Sequence, residues 1–69
     1  MISWLKGEKI GTWEQGSRKG IVLNCSGVGY EVQVLKRDIE NIKTSNDLTL
    51  WIHQLVKDDG YLLFGFINQ

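Results

Sequence analysis

The apolar residues of this chain fall in short runs separated by glycines, and no proline interrupts them. The clearest run is Tyr30, Val32 and Val34 alternating with Glu31 and Gln33. That period of two gives a strand one buried and one wet face. It predicts a third strand over Gly29–Leu35, after a first over Ile2–Ile10 and a second over Gly20–Cys25. Ser26-Gly27 supplies the turn between the second and the third. A fourth strand over Leu48–Val56 places Leu48, Leu50, Ile52 and Val56 on one face and Thr49, Trp51, His53 and Leu55 on the other. A fifth covers Tyr61–Ile67. All five are rich in the β-branched and aromatic residues that favour a pleated surface.

Only one segment has a helical period. Leu35, Ile39 and Ile42 fall at i, i+4 and i+7, with Lys36, Arg37, Asp38, Glu40 and Lys43 on the remaining positions. Thr44-Ser45-Asn46-Asp47 ends it. Residues Gly11–Lys19 read as a polar connection carrying Trp13, Arg18 and Lys19. Five strands with one short helix between the third and fourth predict an all-β, five-stranded Greek-key barrel of the OB type. An SH3-like barrel has a similar pattern, and the position of the helix favours OB. The fifth strand departs from simple alternation. Leu62, Phe64 and Phe66 oppose Tyr61, Leu63 and Ile67, so both faces are apolar. Either it is a central barrel strand covered on both sides, or its outer face is a protein interface to which Trp51 and Leu55 contribute.

Sixty-nine residues make one small domain, which buries only about 60% of its unfolded surface. Eight Lys and Arg against eight Asp and Glu leave no net charge. That balance argues against autonomous, tight binding of duplex DNA, which depends on cationic side chains displacing counterions. No run approaches the roughly 20 apolar residues of a spanning helix, and no signal-peptide pattern opens the chain. A cytoplasmic protein is the expectation. The chain stops directly after an apolar strand, at Phe66-Ile67-Asn68-Gln69, so residues 1–69 read as a piece of a longer protein.

Catalytic chemistry finds little support. His53 lies in mid-strand with no nucleophile or carboxylate at a pairing distance, and Cys25 is a single thiol in an apolar run. One Cys and one His do not make a four-ligand zinc site. Gly27-Val28-Gly29 precedes a strand rather than a helix, so it reads as a turn and not a phosphate loop. No catalytic residue, metal ligand or cofactor is expected. Lys57-Asp58-Asp59-Gly60 is the informative polar feature: a hairpin turn with two adjacent carboxylates at its tip. An exposed tip lacks the burial that raises a carboxylate's pKa, and it offers too few oxygens for a hard cation.

Three stretches together resemble the N-terminal domain of the RuvA family of Holliday-junction proteins. They are Met1-Ile2 with Leu5-Lys6-Gly7, then Gly27-Val28-Gly29-Tyr30-Glu31-Val32, then Lys57-Asp58-Asp59 followed by Leu62-Leu63-Phe64-Gly65-Phe66. They span nearly the whole chain, although Ser3-Trp4 stands where many relatives carry Gly and a basic residue. The resemblance implies an OB-fold domain followed by a helix-hairpin-helix DNA-binding domain and a third domain that binds the RuvB motor ATPase. It also implies a non-catalytic homotetramer that holds a four-way junction open during recombination and repair. Asp58 and Asp59 fall on the acidic pin of such proteins, which steers strands at the crossover by repulsion. Lys57 at its base is a candidate phosphate contact. Trp51, Leu55, Leu62, Phe64 and Phe66 are candidates for a subunit or domain interface.

Two other readings stay open on the residues alone. One is a general single-strand-binding OB module that stacks bases on Trp4, Trp13 or Trp51. The other is a barrel that binds only protein.

Overall fold

A computed structural model describes residues 1–67; the expected boundary at Asn68-Gln69 lies outside them. Five strands close a barrel in the order β1-β2-β3-β5-β4. They are β1 (Trp4–Gln15), β2 (Arg18–Cys25), β3 (Val28–Val34), β4 (Asp47–Lys57) and β5 (Gly60–Phe66). Neighbours are antiparallel except β3 and β5, which run parallel through Gln33↔Phe64 and Val34↔Gly65. A 3₁₀ turn, Lys36–Asp38, and one short helix, α1 (Ile39–Lys43), connect β3 to β4. This is the OB arrangement expected from the sequence, a closed barrel with its helix between the third and fourth strands.

The core follows the period-two pattern. Leu5, Ile21, Leu23, Val32, Val34, Leu50 and Leu63 point into the barrel, and Ile42 of α1 joins them with Ile39 packed alongside. Alternation explains the selection, because Glu31 and Gln33 stand between the buried Val32 and Val34 on the other face of β3. The carbonyls that end α1 have no intrahelical donor. Lys9 Nζ supplies one, donating to Ile42 O at 2.7 Å and Lys43 O at 3.4 Å.

Four expectations are corrected. Gly11–Lys19 is not a polar connection: β1 runs on to Gln15, Gly16-Ser17 makes a tight turn, and β2 begins at Arg18. The physical reason is that this hairpin extends past the core, so Trp13 is its one half-buried large apolar side chain and no apolar alternation marks the strand. The first strand begins at Trp4 rather than Ile2, and a register shift between Lys9 and Gly11 leaves Ile10 as an exposed extra residue. Such a bulge bends a strand, which lets β1 pair with β4 through Trp4–Glu8 and with β2 from Glu8 onward. Leu35 does not open the helix; its φ of −75° and ψ of 145° are extended, and it is exposed. Val56, expected on the inward face with Leu50, is 69% exposed because β4 outruns the core toward its hairpin.

Candidate functional site

The turn between β4 and β5 is two residues long. Lys57 pairs with Gly60, which leaves Asp58 and Asp59 at the tip. Neither aspartate has a positive φ, whereas Gly60 sits at φ +143°, a conformation that side-chain-bearing residues rarely adopt. Glycine therefore carries the conformational demand of the turn and frees both tip positions for carboxylates. Asp58 and Asp59 are exposed, and among the described residues neither takes part in an ion pair. Lys57 is exposed at the last position of β4, beside the tip rather than folded onto it. The result is a ribbon of β-structure that ends in two uncompensated negative charges.

Behind this tip the ribbon is apolar. On the outer face of β4 and β5, Leu55 pairs with Leu62, His53 with Phe64 and Trp51 with Phe66. Cross-strand neighbours on one face are close enough to pack. All five expected interface residues are thus brought together on one face, outside the barrel and opposite Leu63 and Gly65, which point in. Trp4 joins them opposite Trp51 on β1, an extension that the spacing within β4 and β5 does not reveal. Trp4 and Trp51 are 49% and 37% exposed, so the face is open to solvent. Phe66 is the last residue of β5.

The third tryptophan lies elsewhere. Trp13 pairs with Gly20 across the β1–β2 hairpin, and its ring covers that glycine so closely that a Cβ there would come within 2.3 Å of the indole. The indole Nε1 is buried without a hydrogen-bond partner. The Arg18 guanidinium stands over the ring at 6.0 Å from its centroid and donates from Nε to Gln33 Oε1 at 3.2 Å. The three tryptophans therefore do not form one stacking platform.

The remaining candidates stay where the sequence put them. Cys25 ends β2 half-buried, and burial pushes its thiol above the usual value. Ser26 and Gly27, at φ 55° and 90°, form the expected turn, closed by Asn24 Oδ1 accepting from the Gly27 amide at 2.8 Å. Among the described residues no group of His, Cys, Asp and Glu is placed to hold a metal ion. Nor is any helix there long and apolar enough to cross a membrane.

Comparison with known proteins gives this geometry a family. The profile described as "RuvA N terminal domain" matches residues 1–65. The chain is 57% identical over 68 residues to the Holliday junction branch migration complex subunit RuvA of Prochlorococcus marinus strain NATL1A, covering 99% of this chain and 30% of that protein. It is 55% identical over 69 residues to the subunit of the same name from Synechococcus sp. strain WH7803, covering all of this chain and 32% of that one. The subunit of Prochlorococcus marinus strain SARG is 54% identical over 69 residues, with 31% of its length covered. The chain thus spans about a third of the length of these curated relatives. With a closed five-stranded barrel, an acidic two-residue tip and a profile match that takes in both, the chain belongs to the RuvA N-terminal domain family.

Proposed function

We propose that this chain is the first domain of a non-catalytic subunit of a Holliday-junction branch migration complex, and that Asp58 and Asp59 are its strand-guiding pin. The observation that carries the reading is the pair of solvent-facing carboxylates, with no cationic partner among the described residues, at the end of the β4–β5 ribbon. Two such charges about 7 Å apart repel by roughly 0.6 kcal/mol in water and about 2.4 kcal/mol at an effective dielectric of 20. The same scale applies between a carboxylate and a DNA phosphate. Energies of that order bias the path of a strand without holding it. Affinity comes from cationic groups in other domains, in keeping with the zero net charge here. Four subunits around one axis would gather eight carboxylates where the arms cross.

The apolar face supplies the other half of the proposal. Trp51, Leu55, Leu62, Phe64 and Phe66 meet a neighbouring subunit or the next domain in a homotetramer, and a RuvB-type ATPase engages through a further domain. Lys57, at the base of the pin, touches a phosphate of the deflected strand. The test replaces Asp58 and Asp59 together by Asn in the full-length protein. Junction binding in a gel-shift assay is expected to hold or tighten, while the rate of motor-driven branch migration changes. Unchanged migration would remove the pin role.

A further inference from the structure

We infer that the groove between the free edge of β1 and α1 docks an extended peptide as an added strand. One aliphatic side chain of that peptide sits over Ile21, Ile39 and Ile42, and an acidic residue of it meets Lys43. This goes beyond the pin reading and depends neither on Asp58 and Asp59 nor on the outer face of β4 and β5. β1 pairs with β4 only from Trp4 to Glu8, and the one backbone bond beyond that point runs from the Lys9 amide to Asn46 O at 2.7 Å. From Gly11 to Gln15 the strand pairs with β2 on one side, and its other edge has no backbone partner among the described residues.

An open strand edge is a template for another chain, and proteins commonly blunt it with charges or proline. Gly11-Thr12-Trp13-Glu14-Gln15 has no proline, and its one charge is already engaged, Glu14 with Lys19 at 3.6 Å. The bulge at its start presents Ile10, 59% exposed, instead of a charged residue. Beside this edge lies a cavity of about 180 Å³ between Thr12 and Ile21 of the hairpin and Ile39, Ile42 and Lys43 of α1. Lys9 fixes the helical wall, since its Nζ donates to the carbonyls of Ile42 and Lys43.

Size and charge select the occupant. Sites for drug-sized molecules run to roughly 300–1,000 Å³, whereas about 150 Å³ takes a group the size of benzene. One branched side chain therefore fits here, and a cofactor does not. A free edge beside an apolar floor suits a peptide, because main-chain bonds give affinity and pockets for alternate side chains give specificity. The two ends of the groove differ in charge. Toward the hairpin turn Glu14 and Lys19 cancel. Toward the bulge Lys9 and Lys43 lie together, and among the described residues neither is paired with a carboxylate. A strand antiparallel to β1 runs from Gln15 toward Lys9, so its acidic residue falls at its C-terminal end.

The test titrates the isotopically labelled chain with the capped hexapeptide acetyl-Thr-Val-Thr-Val-Glu-Glu-amide and follows backbone amides and isoleucine methyls by NMR. Amides within Gly11–Gln15 and the methyls of Ile39 and Ile42 are expected to shift, with slower hydrogen exchange at alternate residues of the edge. Two peptides N-methylated at alternate residues, one in each frame, then report strand addition. The frame that faces β1 should bind at least about tenfold more weakly than the other, as two or three lost hydrogen bonds require. Alanine for the valines should cost about tenfold, and Gln for both Glu about two- to fivefold. These changes lie in the peptide and leave the fold of the protein untouched. Replacing Asp58 and Asp59 by Asn leaves the titration unchanged, so the pin and this site fail separately. The inference is overturned if the amides of Gly11–Gln15 do not move, if both N-methylated frames bind alike, or if the shifts gather at Trp51 and Phe66. It is also overturned if the free chain sediments as a dimer with those amides already protected, because a second copy then holds the edge.

Discussion

Two hairpins of one small barrel treat their polar groups in opposite ways. In the β1–β2 hairpin the charges are engaged close to the barrel: Lys19 meets Glu14, and Arg18 lies over Trp13 with Gln33 as its acceptor. In the β4–β5 hairpin Lys57, Asp58 and Asp59 engage nothing among the described residues. Both turns are two residues long and use a positive-φ glycine, Gly16 in one and Gly60 in the other. Turn chemistry therefore does not account for the difference. What differs is an aromatic anchor. Trp13 over Gly20 ties the first hairpin to the sheet, and the tip of the second has no equivalent. One hairpin spends its side chains on position, while the other leaves them free to act at a distance.

Breaking the anchor should have the largest effect. Gly20→Val drives a side chain into the indole and is expected to cost about 1–3 kcal/mol, as overpacking does, read as a lower midpoint in urea with red-shifted tryptophan emission. Next comes the glycine of the acidic turn. Gly60→Ala forces an L-residue to φ +143° and should cost on the order of 1 kcal/mol by thermal unfolding, with the barrel otherwise intact. The smallest effect sharpens the contrast. Because Asp58 and Asp59 make no ion pair among the described residues, replacing both by Asn is expected to shift stability by no more than about 0.5 kcal/mol in the same measurement. A loss of several kcal/mol would mean that the tip helps to hold the fold together.

How much of this was legible in the sequence depends on where burial speaks. Val32 and Val34 alternate with charged and amide neighbours because one side of β3 faces the core, so that strand and its faces could be read directly. The closed five-stranded barrel with a helix after the third strand could also be read, since each apolar run answers to the same core. Gly11–Gln15 could not. Thr12, Glu14 and Gln15 are exposed and only Trp13 is a half-buried large side chain, so a single aromatic residue among polar ones leaves no periodic trace. Leu35 was read as helical from spacing, but it follows β3 without a break and remains extended.

The candidate site divides in the same way. The acidic tip could be seen because Asp-Asp-Gly between two apolar runs fits a tight turn, and the outer face because Leu62, Phe64 and Phe66 recur every second residue. The alignment of Trp51 with Phe66 and Trp4 needed the register. The pairing of Trp13 with Gly20 could not be inferred while that stretch read as a loop. Thr12, Ile21 and Ile39 come from two strands and a helix, and only the closed barrel brings them to one groove.

The parallel junction of β3 with β5 has a mechanical consequence. It runs through two residue pairs, whereas β4 and β5 are joined through seven and β1 and β4 through five. A force applied at Asp58 and Asp59 would travel down β4 and β5 as one lever. Its weakest attachment is the short junction beside Gln33. Breathing of the barrel would begin there, so a load on the tip would be felt first where Gln33 and Val34 meet Phe64 and Gly65.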